Sequence, residues 1–376
     1  MTACRSSIAV AAAVLGLVHG LSAQATAAPA AATYSGLAHQ LAVVIPRLDA
    51  APDIDGQLTE PVWQQAARLT GFSQYAPTDG VPANDSTEVL VWYSPTAIYF
   101  GIRAFERHGA VHATLANRDN IFSDDNIQIY LSTFNDGRQA TLFAVNPLGV
   151  QGDGALVESG RTSGGFLGSA ATGGREPVDL SPDYVFQSKG HLTPWGYEVE
   201  VRIPFKSLRY QSAAVQDWGI DIERDVQHDG TSDTWAPARR SASSFLAQSG
   251  TLTGISDIHR GLVMDLNPEV TARRDGAPGA TTGTYDHTDR GPEFGGNIRW
   301  GVTNNLTLNG TANPDFSQVE SDAGQISFDP RQALFFPEKR PFFLDGLEFF
   351  QSPFQLVYTR QIVQPVAAVK LTGKAA

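Results

Sequence analysis

The chain has 376 residues, a formal charge of -12 at pH 7, 36 Gly, 22 Pro and only 2 Met. This length leaves room for two domains of roughly one to two hundred residues each, and the Gly, Pro, Val, Thr and aromatic content favours short strands joined by turns over long helices. The acidic balance, without any basic run, excludes a non-specific grip on nucleic acid phosphates, which needs clustered Lys and Arg.

Residues 1–28 have the features of an export signal: Arg5, an apolar run over residues 8–21, and the small-residue pattern Ala23-Gln24-Ala25. Cys4, the only cysteine, leaves with that segment, so the mature chain is expected to have no disulfide or thiolate chemistry. No later stretch reaches the roughly 18 apolar residues of a membrane helix, so any insertion into a bilayer would have to use strands. Residues 29–42 read as an Ala-rich linker.

The first folded domain is expected over residues 43–258. Asp53-Ile54-Asp55-Gly56-Gln57-Leu58 makes a turn, and Glu60-Pro61-Val62-Trp63 opens a short helix with Pro in its first turn. Residues 87–93 and 97–105 form a predicted hairpin about Ser94-Pro95-Thr96. Residues 126–133 alternate, with Ile127, Ile129 and Leu131 on a buried face and Gln128, Tyr130 and Ser132 on a wet one. A strand over residues 139–147 and a flexible Gly-rich loop over 160–174 follow. Tyr197, Val199, Val201 and Ile203 alternate with Glu198, Glu200 and Arg202; Trp218, Ile220 and Ile222 repeat the pattern with Asp221 and Glu223 outward. Such regularly spaced half-buried strands predict a mainly β fold with an N-terminal β-sandwich.

Residues 259–376 change character. Longer strands at 262–273, 295–303 and 306–313, the last two joined by Thr303-Asn304-Asn305, resemble barrel strands. The smallest bacterial barrels need about 8 strands of about 9–11 residues, whereas the tail offers four to six at most, so it cannot close a barrel alone.

Specific wording then becomes recognisable. Ile54-Asp55-Gly56-Gln57-Leu58, Trp63, Thr87-Glu88-Val89, Tyr99-Phe100-Gly101, Arg118-Asp119, Asp125, Asn146-Pro147-Leu148-Gly149-Val150, Gly196-Tyr197 and Ile203-Pro204-Phe205 together resemble a carbohydrate-binding family 9-like domain. The stretches Asn313-Pro314-Asp315-Phe316-Ser317-Gln318-Val319-Glu320-Ser321-Asp322 and Phe336-Pro337-Glu338-Lys339-Arg340-Pro341-Phe342-Phe343 resemble an uncharacterised domain that follows such modules in envelope proteins. The resemblance implies a jelly-roll type sandwich followed, from about residue 260, by the start of an outer-membrane β-barrel. The end at Ala376, without an aromatic-ended final strand, then reads as a truncated member. It also implies a non-catalytic glycan-binding module in the periplasm or outer membrane of a Gram-negative bacterium, linked to carbohydrate catabolism or uptake. The alternatives are a structural component whose sandwich plugs or gates a barrel or binds protein, and an accessory part of a hydrolase acting on O-glycosyl bonds.

Sugar recognition needs aromatic faces and planar polar groups. Trp63 and Trp218 read as core. Trp92 is out of phase with the apolar positions of its strand; a core role is the first reading, and it is at the same time the candidate platform should its ring be exposed. Arg118, Asp119, Asp125, Asn146 and Arg224 complete the candidate sugar-contacting set. Asp119, Asp124, Asp125 and Asp153 offer hard oxygen ligands suited to calcium, which family 9 modules can bind; the competing reading is an ion-pair network held by Arg118 and Arg224. His108 and His112 lie in a turn-rich link and read as solvated. No Gly-x-Ser-x-Gly, His-Glu-x-x-His or phosphate-cradling loop is present. Finally, Phe335, Phe336, Phe342, Phe343, Phe349 and Phe350 around Glu338-Lys339-Arg340 form either a membrane-interface belt or a packed plug.

Overall fold

The structure, a computed structural model, describes residues 31–109, 111–158, 175–281, 283–314, 338–350, 357–362 and 365–374. The export segment with Cys4, the Gly-rich loop, Phe335, Phe336 and most of the 313–322 motif lie outside the described residues.

Two sheets form the sandwich. The strands of the first are β1 (Thr33–Ser35), β3 (Ala67–Thr70), β5 (Thr87–Tyr93), β6 (Ala97–Phe105), β11 (Gly196–Pro204) and β10 (Gln187–Thr193), in that spatial order. The second follows the order β2 (Ala42–Val44), β14 (Gly250–Ser256), β12 (Val215–Val226), β7 (Asn126–Ser132), β8 (Gln139–Val145), β9 (Gln151–Val157), with β13 (Thr231–Thr234) and β4 (Ser73–Ala76) attached at its side. The core lies between them. Ile98, Phe100, Ile102, Val199, Val201 and Ile203 from one sheet meet Ile127, Ile129, Phe143, Trp218, Ile220 and Ile222 from the other. Within residues 29–42 the chain forms β1 and, at Ala42, enters β2; these strands pair in parallel with β3 and β14.

Both outer faces are covered as well, which the alternating pattern did not predict. Every residue of β7 is buried, and Asp221 and Glu223 on β12 are buried too, so the expected wet faces are corrected. Phe245, Leu246 and Ala238 pack over Tyr130, Leu142 and Ala144. Arg175 pairs with Glu223, with its guanidinium 4.9 Å from the Phe245 ring centroid and 5.3 Å from that of Tyr130.

On the other side, Leu58, Val62 and Trp63 of the turn and of a short 3-10 helix (Pro61–Gln65) cover Leu90, Trp92 and Tyr99. One carboxylate anchors that cover: Glu200 accepts the N–H groups of Asp55 and Gly56, each at 2.8 Å, and the Trp63 Nε1–H at 3.0 Å. Burial raises the Glu200 pKa to about 7 despite those donors. Gly56 turns there with φ +93°, and a Cβ on Gly101 would sit 2.5 Å from Leu58 Cδ2. The Ile-Asp-Gly-Gln-Leu, Trp63 and Tyr-Phe-Gly wording thus belongs to one packed contact.

A third sheet orders β15 (Met264–Pro278), β16 (Tyr285–Gly301), β17 (Leu306–Ala312) and β18 (Ala367–Gly373), all antiparallel. Its register aligns Met264, Trp300, Leu308 and Leu371 in one row, and Leu266, Ile298, Gly310 and Val369 in the next. That face is exposed, with Val369 at 73% and Phe294 at 71%. The opposite face carries Thr307, Asn309, Thr311 and Thr372, all buried. The usual order of a soluble antiparallel sheet, apolar in and polar out, is reversed. Among the described residues this sheet is open and no closed barrel forms. No described helix is long and apolar enough to cross a membrane, which bears only on helices.

Candidate functional site

A cleft of about 430 Å3 opens where the end of the sandwich meets residues 339–349. Its walls include Thr133, Phe134, Gln139, Thr141, Asp183, Tyr184, Arg209, Arg299, Asp345, Glu348 and Phe349. Gln139 and Thr141 come from the β8 end that carries Phe143 into the core two residues on, so the cleft continues the inter-sheet space outward. The volume falls within the ~300–1,000 Å3 of small-molecule sites.

Arg209 organises the far wall. Its Nη2–H donates to Asp345 Oδ1 at 2.6 Å, its Nη1–H to Glu348 Oε1 at 3.1 Å, and its guanidinium lies 5.2 Å from the Phe349 ring centroid. Arg299 Nε–H reaches the second Asp345 oxygen at 3.3 Å. Burial works against the Asp345 carboxylate, but Arg209 and Arg299 outweigh it and hold its pKa below the ordinary value. Burial raises that of Glu348, with Arg209 opposing. A cleft lined by aromatic side chains, a guanidinium fork, carboxylates, an amide and hydroxyls can hydrogen-bond a polyhydroxylated ligand and cover its C–H surface.

The residues singled out from sequence are distributed differently. Trp92 is fully buried, its ring stacked on Tyr99 with centroids 4.0 Å apart and planes 2° off parallel. The exposed-platform expectation for Trp92 is therefore corrected: the apolar cover over the outer face of the sheet claims the ring. Arg224 is buried too and donates to Ser86 O, Thr87 Oγ1 and Phe105 O, tying the two sheets together. Asp125 accepts the His112 and Gln227 N–H groups, and burial raises its pKa against those donors. Asp124 accepts from Thr114 and from Asn146 Nδ2; these bonds overcome burial and lower its pKa. Asn146 also takes the Leu148 and Val150 N–H groups on its Oδ1, shaping the Asn-Pro-Leu-Gly-Val turn.

Besides the Asp124–Asn146 pair, Arg118, Asp119 and Asp153 come together. Arg118 Nε–H donates to Asp153 Oδ1 at 2.8 Å, Asp119 Oδ1 accepts the Asp153 N–H at 3.0 Å, and Asp183, missed from sequence, joins them. Burial raises the Asp153 pKa, with the Tyr184 N–H and Arg118 opposing. Asp124 and Asp125 are hydrogen-bonded elsewhere, so the four expected acids do not converge on one point, and Arg118 pairs with Asp153 and, at 3.6 Å, with Asp183. Asp183 also lines the cleft, so this network supports its near wall.

Of the tail aromatics, Phe343 is buried, with the Arg340 guanidinium 4.1 Å from its ring centroid, and Phe349 lies beside Arg209, whereas Phe350 is exposed. Phe343 and Phe349 belong to a packed junction. Arg209 carried no spacing signal with Asp345 or Glu348, since each lies more than 130 residues from it in sequence.

Residues 279–372 match the model of a domain of unknown function, DUF5916. No curated protein matches the chain. Among solved structures, a carbohydrate-binding module of family 9 from Caldicellulosiruptor kristjanssonii in complex with glucose is 15% identical, with a TM-score of 0.39, covering 57% of this chain and 97% of that one. A family 9 module from the same organism in complex with cellotriose is also 15% identical at a TM-score of 0.39, covering 57% of this chain and 95% of the other.

Proposed function

We propose that this chain is a non-catalytic glycan-binding module of a Gram-negative envelope protein, exported by its N-terminal segment and held at the outer membrane by its C-terminal sheet. The observation that carries the binding half is the cleft, in which Phe134, Tyr184 and Phe349 share one concavity with Gln139, Thr141, Arg209 and Glu348. The membrane half is supported by the reversed sheet. Its exposed face of Met264, Leu266, Val270, Phe294, Trp300, Val369 and Leu371 suits hydrocarbon, while its buried Thr and Asn face suits the interior of a barrel.

A glycan array probed with the detergent-solubilised full chain tests the binding half. Saturable binding to at least one glycan class is expected, weakened by Phe349→Ala; silence across the array would refute it. A second reading, a structural plug, is favoured by residues 341–349, which join Arg209 of the sandwich to Arg299 and Lys370 of the reversed sheet. Under that reading the cleft is closed by the chain's own tail, and the array stays silent while the chain remains membrane-bound.

A further inference from the structure

A second cluster lies at the other end of β12. Arg209 and the cleft precede the start of that strand, whereas His228 follows its end, in the turn to β13. There Asp85, Glu106, His108 and His228 each offer one donor atom, all within 4.8 Å of one another. The local chain explains half of the cluster: Glu106 and His108 lie in the bend just beyond β6, where the His108 N–H donates to Glu106 Oε1 at 2.9 Å.

The donor atoms are arranged about a common space. His108 Nδ1 lies 3.5 Å from Glu106 Oε1, and His228 Nδ1 lies 3.5 Å from Glu106 Oε2. The two rings are neighbours, with the outer nitrogen of His228, Nε2, 3.1 Å from His108 Nδ1. In a tetrahedral site with bonds of about 2.0–2.1 Å, neighbouring donors stand roughly 3.3 Å apart.

Two buried carboxylate oxygens of the cluster have no hydrogen-bond partner: Glu106 Oε2, which faces His228 Nδ1 at 3.5 Å, and Asp85 Oδ2. Their side chains are 0% and 1% exposed. The basic groups nearby do not satisfy them. Arg107 Nε–H takes the other Asp85 oxygen, Oδ1, at 2.7 Å. Arg224 Nη2 is 3.9 Å from Glu106 Oε2 and spends its hydrogen bonds on Ser86, Thr87 and Phe105. A buried carboxylate oxygen without a donor is costly, and a cation seated among these atoms would remove that cost.

An outer layer is also present. Asp229 Oδ1 is 3.1 Å from His228 Nε2, and Asn84 Nδ2–H donates to Asp229 Oδ2 at 3.1 Å. A carboxylate on Nε2 fixes the ring and leaves Nδ1, the nitrogen that faces Glu106 Oε2, as the one directed toward a metal, the usual support of a ligating histidine. Two imidazoles with two carboxylates form a donor set for a borderline first-row cation, whereas calcium takes oxygen alone.

We propose that Asp85, Glu106, His108 and His228 bind one zinc-class divalent cation, at a site separate from the glycan cleft. The test uses the full chain stripped with EDTA and titrated with zinc chloride by calorimetry and with cobalt chloride by visible absorption. One zinc per chain is expected, together with the ligand-field bands of a four-coordinate cobalt bound partly by nitrogen. His108→Gln and His228→Gln should each weaken zinc binding at least ~10-fold, while His259→Gln should leave it unchanged. Absence of stoichiometric zinc binding, equal affinity in all three variants, or displacement of zinc by excess calcium would overturn the proposal. The cobalt spectrum of the unsubstituted chain decides the matter even where a variant folds poorly.

Discussion

Replacing Arg209 by Ala should loosen residues 341–349 from the sandwich without unfolding it. The guanidinium is 11% exposed and serves Asp345, Glu348 and the ring of Phe349 together. Breaking a buried ion pair from one side costs about 3–5 kcal/mol, because a charge is left without its partner. Asp345 keeps Arg299 at 3.3 Å, so the loss falls mainly on Glu348. The second partner retained by Asp345 lowers the expected cost to about 2–4 kcal/mol. Local opening of that size speeds amide exchange by roughly 30- to 1,000-fold. Hydrogen exchange read on peptides containing Phe343 and Leu344, whose N–H groups bond to Arg340 O, reports it, with β5 peptides as the unchanged control. The sign with pH follows from linkage. Carboxylates left unpaired in the variant have folded pKa values above their unfolded ones, so stability falls as pH rises, and the deficit should shrink from pH 7 to pH 4. A rate change below about threefold at pH 7 would refute the role given to Arg209.

Other consequences can be checked on the purified chain. Glu200, raised to about 7 from 4.5, binds its proton more tightly folded than unfolded, so stability should decline as pH rises from about 4.5 to 7. Glu200→Gln should flatten that decline in a series of thermal melts; an unchanged slope would count against it. Gly101→Ala, forced toward Leu58 and Trp63, should cost about 1–3 kcal/mol in a urea titration, and a neutral result would show that the cover is loose. Calcium chloride added to the EDTA-stripped chain should leave the Arg118–Asp153–Asp183 network and the melting temperature unmoved, whereas a clear upward shift would restore calcium. In membranes carrying the chain, carbonate and urea washing should leave it in the pellet, and complete release would remove the lipid-facing role of the third sheet.

The sandwich was legible because strands that bury one face announce it by alternation: Tyr197, Val199, Val201 and Ile203, or Trp218, Ile220 and Ile222. What alternation cannot announce is a second cover. Gln128, Tyr130, Asp221 and Glu223 read as wet, yet Arg175, Ala238 and Phe245 arrive from distant parts of the chain and close over that face. Trp92 was misplaced as a possible platform for the same reason, since Leu58 and Trp63 cover the other sheet. In the tail the strands were readable but their polarity was not, because alternation is identical whichever face meets solvent. Only the positions of Asp345 and residues 341–349 distinguish the faces. The pairing of His108 with His228, 120 residues later, is a product of the fold, and its single local trace is Glu106-Arg107-His108.

Calorimetric titration of the best glycan from the array into three forms of the full chain tests the central claim most directly: the unsubstituted chain, Phe349→Ala and Trp92→Ala. The account predicts saturable binding that falls at least ~10-fold, about 1.4 kcal/mol, in Phe349→Ala and holds within about twofold in Trp92→Ala at a temperature where that destabilised variant is folded. Binding that survives Phe349→Ala but disappears with a folded Trp92→Ala would contradict it.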